Sequence, residues 1–131
     1  MEQTGLVENK RVAYFEYDFA RDGGAAGEIS VGGDAIPEGA IITSGIIHVK
    51  TAVTSGGSAT LQIKAVGTDD VLTSTAKSSL SLNALIDCVP DGAATNMIRC
   101  TANVTALTFT VGTADLTAGK VCVALEYVMT A

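Results

Sequence analysis

AIITSGIIHVKTAVTSGGSATLQIKAV, residues 40–66, is the stretch that decides the fold. From Ala40 to Val53, Ile41, Ile47, Val49 and Val53 share one face, while Ile42, Ile46, His48 and Lys50 share the other. Near-alternation of this kind marks a strand with one face on a core. The apolar residues on both faces at its start predict burial on both sides there. Gly45 interrupts the run, where a bulge or a close backbone contact is expected. Ser55–Ser58 reads SGGS and predicts a hairpin turn. The returning strand, Ala59–Val66, would point Leu61, Ile63 and Ala65 inward and Thr60, Gln62 and Lys64 outward.

The same signal recurs on both sides of this stretch. Arg11–Phe19 alternates Ala13, Phe15, Tyr17 and Phe19 against Val12, Tyr14, Glu16 and Asp18. The glycine-rich turn RDGGAAG (21–27) and a short strand, Glu28–Val31, come next. Pro37–Gly39 is a turn. Val71–Lys77 fits either a strand or a short helical turn, and Ser78–Leu85 is expected to be a strand with Leu80 and Leu82 on one face. Met97–Val104 would align Ile98, Cys100, Ala102 and Val104, and Ala106–Val111 would align Leu107, Phe109 and Val111. After the turn TADLTAG (113–119), the last strand sets Val121, Val123, Leu125, Tyr127 and Met129 against Cys122, Ala124 and Glu126.

The sum is about eight or nine short antiparallel strands, at turn spacings of roughly 8–12 residues. No helix-length pattern competes. The expected fold is all-β, a single-domain β-sandwich of jelly-roll type spanning 11–131. The polar first ten residues stand apart as an arm, either frayed or ordered on a neighbouring subunit.

Composition narrows the function. The chain has 131 residues, of which 47% are hydrophobic and only 17% charged, and its mean hydropathy is +0.37. A typical soluble domain is about 25% charged. No run approaches the roughly 20 apolar residues of a spanning helix, so no membrane partner is expected. The surplus apolar surface is then expected to be covered by other subunits. The net charge of −6 argues against nucleic acid, whose phosphates demand cations. The opening MEQTGLVENKR lacks an apolar segment after a basic start, so folding in a cytoplasm is expected. Cys88, Cys100 and Cys122 are odd in number and form no CxxC pair, which predicts buried thiols rather than disulfides.

Chemistry finds little support. His48 is the single histidine, and a surface or interface role fits its place on the strand. No GxSxG elbow supports a Ser/His/Asp triad. Asp22, Asp34, Asp69, Asp70 and Asp91 lie in loops as turn-formers, without the DxDxDG spacing of a calcium site. The glycine pairs 23–24, 32–33 and 56–57 precede no GK[ST]. Without tryptophan, and with aromatics at 5%, a sugar-stacking platform is disfavoured. The chain is therefore not expected to be an enzyme or to hold a metal or cofactor.

The segments AIPEGAIITSGIIHVKTAVTSGGSATLQI (35–63) and LTFTVGTADLTAGKVCVALEYV (107–128) resemble small head proteins of tailed bacteriophages, the capsid decoration or cement proteins. YDFARDGGAAGEIS (17–30) and VPDGAATNMIRCTA (89–102) extend the likeness more weakly. The resemblance implies a viral structural protein at the capsid surface of the virion, made in a bacterial host. It would bind the major capsid protein and stabilise contacts between capsomers, as a homo-oligomer with a trimer favoured. Candidate contact residues are Leu6, Val7, Arg21, Ile42, Ile46 and His48. The alternative is a tail or fibre module whose loops, 21–27 and 91–96, recognise a receptor or glycan.

Overall fold

The computed structural model describes residues 10–67, 70–88 and 97–129. Among these the fold is all-β. The strands are β1 (Lys10–Asp18), β2 (Gly27–Ile36), β3 (Ala40–Ser55), β4 (Thr60–Lys64), β5 (Leu72–Ala76), β6 (Leu85–Cys88), β7 (Ile98–Arg99), β8 (Val104–Gly112) and β9 (Leu116–Met129). One helical turn, α1 (Phe19–Asp22), succeeds β1. Asp18 caps it by accepting from the Ala20 N–H at 3.0 Å. Gly23 ends it at φ 77°, with its N–H donating to the Phe19 carbonyl at 2.9 Å.

The strands form one antiparallel path, β5-β4-β8-β2-β1-β9-β3-β6, with β7 also on β3. The path is uneven. β1 pairs with β9 along its whole length, from Lys10 opposite Val128 to Asp18 opposite Lys120. Between β1 and β2 only Phe15 and Gly33 are in register. The sheet turns a corner there. One half (β1, β9, β3, β6, β7) faces the other (β2, β8, β4, β5) across a shared core. Ala13, Phe15, Tyr17, Val121, Val123 and Leu125 enter that core from the first half, and Val31, Leu61, Ile63, Leu107 and Phe109 from the second. The Tyr17 and Phe109 rings stack across it, with centroids 5.6 Å apart.

Four expectations are corrected. Residues 40–66 do not form a hairpin: β3 pairs with β9, β6 and β7, while β4 pairs with β5 and β8. The SGGS segment carries the chain from one half to the other, so Leu61 and Ile63 face the core opposite β3 instead of beside it. Ile42 lies in the core at 0% exposure, not on the outer face with Ile46. The cause is a register shift against β9 between Ile42 and Ser44, which inserts a residue and reverses the parity of the rest of the strand. Gly45 then points inward, where a Cβ would sit 2.7 Å from Leu125 Cδ2 and 2.8 Å from Cys88 Sγ. Ser78–Leu85 is not a strand. A 3₁₀ turn (Lys77–Ser79) and a second turn, closed by the Ala84 N–H on the Ser81 carbonyl, occupy it, burying Leu80 while Leu82 stays 60% exposed. Finally, Met97–Val104 breaks after β7. There Cys100 exchanges backbone bonds with Gly39 and Ala40, and Ala102 turns to solvent.

Tyr17 links fold to pH. Its hydroxyl donates to the Gly23 carbonyl at 2.5 Å. Burial, aided by the nearby Asp22 and Asp18 carboxylates, pushes its pKa up to about 12. In the unfolded chain the phenol ionises near pH 10, so its contribution is complete below that and is lost as pH rises towards about 12. Between pH 9 and pH 11.5 stability should fall by about 2 kcal/mol more in the native protein than in Tyr17→Phe. Urea unfolding at pH 9 and pH 11.5 measures the difference, and parallel pH dependence of the two proteins would refute the linkage.

Candidate functional site: an apolar face of the sheet

With Ala13, Phe15 and Tyr17 pointing inward, strand geometry turns Val12, Tyr14 and Glu16 outward. The neighbouring strands obey the same parity. Tyr14 stands opposite Ala124, and Ala124 opposite Ile46, which faces Asp87. The next row runs Glu16, Cys122, His48, Leu85. The outcome is a continuous surface with Tyr14 57%, Ile46 58% and Leu85 73% exposed. Val12 extends it at 46%. Ile46, Leu85, Ile86 and Asp87 line a shallow depression of about 360 Å3. Large apolar side chains gathered on one face mark an interaction surface, where scattered ones would mean nothing.

Charged groups fringe this surface and pair with one another. Lys50 Nζ lies 3.2 Å from Glu16 Oε2, Lys120 Nζ 3.7 Å from Asp18, and Lys10 Nζ 3.7 Å from Glu126. Ser44 Oγ donates to Glu126 Oε1 at 3.2 Å. His48 makes a long contact, 3.5 Å, with Asn83 Oδ1. An apolar centre inside a polar rim is the usual anatomy of a protein contact.

Of the sequence candidates, Ile46 and His48 share this face. Arg21 borders it: its guanidinium donates to the Glu16 carbonyl and grips Asp22 at 2.9 Å. That grip holds the Asp22 carboxyl below the usual carboxylate range. Ile42 belongs to the core, and Leu6 and Val7 lie outside the described residues, as does the loop 91–96. Tyr14 and Leu85 were not singled out from sequence. An aromatic of outward parity between Ala13 and Phe15 was the available signal for Tyr14. Leu85 had none, because its strand begins where the alternation ends on paper.

The outward side of the other half differs. Glu28, Thr110 and Gln62 form one row there and Ser30, Thr108 and Lys64 the next. Cys88 and Cys100 are buried and Cys122 half-buried, none of them in a disulfide. Burial, with the Asp70 carboxylate second, pushes the Cys100 thiol up, which disfavours a reactive thiolate. Among the described residues no three His, Cys, Asp or Glu side chains gather as a metal-holding group. The Asp70 carboxylate instead organises a turn, accepting from the N–H groups of Ala65, Val66 and Gly67 at 2.6–2.9 Å.

No protein-family model and no curated protein matches the chain. Solved structures do. A chain of the cyanophage Pam1 capsid asymmetric unit aligns with a TM-score of 0.67 at 18% identity, covering 93% of this chain and 86% of that one. A chain of the acidic stable capsid of Helicobacter pylori bacteriophage KHP30 aligns at 0.62 and 12% identity, covering 93% and 89%. A chain of the Ralstonia phage GP4 capsid gives 0.58 and 15% identity, covering 92% and 86%. Over at least 92% of its length, this chain has the fold of chains found in phage capsids, in keeping with the resemblance read from its sequence.

Proposed function

We propose that the chain is a non-enzymatic structural protein of a phage head. It binds the outer surface of the shell through the major capsid protein and stabilises contacts between neighbouring capsomers. The observation that carries this reading is the shared fold with chains of three phage capsids. The coverage of those chains, 86–89%, makes them small proteins of nearly the same length, which favours an accessory subunit over a shell-forming one. The exposed apolar face supports a role realised only in an assembly. A homotrimer is the favoured unit, since linked copies turn several modest contacts into firm attachment.

The test uses purified protein and emptied heads of the phage that encodes it, stripped of this subunit. Saturable co-sedimentation is expected, together with a higher temperature of head disruption. Heads that neither bind the protein nor gain heat resistance would overturn the role. A strictly monomeric mass in solution would overturn the trimer.

A further inference from the structure

We infer that the outward face of β1, β9, β3 and β6 is the surface by which the chain seats on the shell. Its occupant is an apolar patch of the shell protein with a basic group opposite Asp87. This inference rests on the proposed role in the phage head.

The two outward surfaces of the fold are unlike. One carries Val12, Tyr14, Ile46 and Leu85; the other carries hydroxyls, an amide and isolated charges, which suit permanent contact with water. Exposure at the four apolar residues comes to an area on the order of 500 Å2, the size of a functional patch. Covering it from both sides would bury about 1,000 Å2, the lower bound of a specific contact. That is small for an isolated pair and sufficient when one oligomer makes several such contacts together.

Charge then separates a second copy from a different protein. Glu16, Asp18 and Glu126 are each met by a lysine of this chain. Asp87, beside Ile46 on the edge strand β6, forms no ion pair among the described residues. A second copy seated face to face about a two-fold axis would bring another Asp87 to the contact. A cation on an otherwise apolar partner would complete it.

The experiment compares head binding by the full chain and by four variants. Ile46→Glu and Ile46→Ser, at a position 58% exposed, should weaken binding about tenfold or more. Their thermal unfolding should match that of the native protein. Asp87→Lys should also bind more weakly, while Thr108→Glu on the opposite surface should bind as the native chain does. If the native chain itself fails to bind heads, the proposed role falls and this inference with it. Native binding that survives both Ile46 substitutions overturns the docking face alone. Should the Ile46 variants lose self-association in solution yet keep head binding, the occupant is a second copy and the shell assignment is wrong.

Discussion

Phe109→Ala is expected to lower stability by about 4 kcal/mol, enough to drop the unfolding midpoint by roughly 15 °C in a domain of this size. The ring is fully buried in β8, and its backbone neighbours across the ladder are Ile29 and Ile63. Its stacking partner, Tyr17, comes from the other half of the sheet, 5.6 Å away at an interplanar angle of 22°. The cavity left by alanine would therefore lie between two sheets, not within one. Side chains of a single sheet could not close it, because that would need one half to move against the other. The halves are tied at the corner by the register pair Phe15 and Gly33, which resists such movement. Cavities that cannot collapse give the largest losses. Phe109→Leu keeps most of the volume and should cost less than half as much. Urea denaturation of both variants checks the ordering. Equal losses would mean that the inter-sheet cavity is not the cause.

Much of this architecture was legible because burial of one face leaves period two in the residues. In β1, β8 and β9 the alternation reports inward and outward residues correctly, from Ala13 to Tyr17, Leu107 to Val111 and Val121 to Tyr127. Three things escape that signal. A bulge reverses parity without altering composition, so Ile42 and Ile46 look equivalent on paper and end on opposite faces. A spacing of two arises without a strand, as with buried Leu80 and exposed Leu82 around a 3₁₀ turn. Partner choice is not local either. SGGS has hairpin composition, yet β3 has 16 residues and finds its long complement in β9, far along the chain, as at the pair Gly45 and Leu125. The docking face was half legible for the same reasons: Ile46 and His48 follow from parity within β3, whereas Leu85 depends on a strand boundary set by long-range pairing.

Gly33→Ala is the second large effect, about 3 kcal/mol, and it bears on the docking face as well as on the fold. At the corner between β1 and β2, a Cβ on Gly33 would lie 2.3 Å from the Tyr14 carbonyl oxygen and 2.9 Å from Phe15 Cα. Both obstacles are backbone, so no side-chain rotation relieves them. The ladder there is already sparse, and the Asp34 carboxylate accepts from the Tyr14 N–H at 3.0 Å in place of a strand partner. Gly32, one residue earlier, has nothing within 4 Å of the same position. Gly32→Ala should therefore shift stability by no more than about 0.5 kcal/mol, in either direction. The contrast isolates close approach from the loss of glycine itself, since both substitutions remove the same backbone freedom. Relief of the clash would push the Tyr14 backbone outward and tilt its ring away from the row it forms with Ala124 and Ile46. Folded Gly33→Ala should then bind heads more weakly than Gly32→Ala at a temperature where both are native. Similar unfolding curves for the two would show that the corner yields to a methyl group, and that the register pair of Phe15 with Gly33 does not set the geometry of the face.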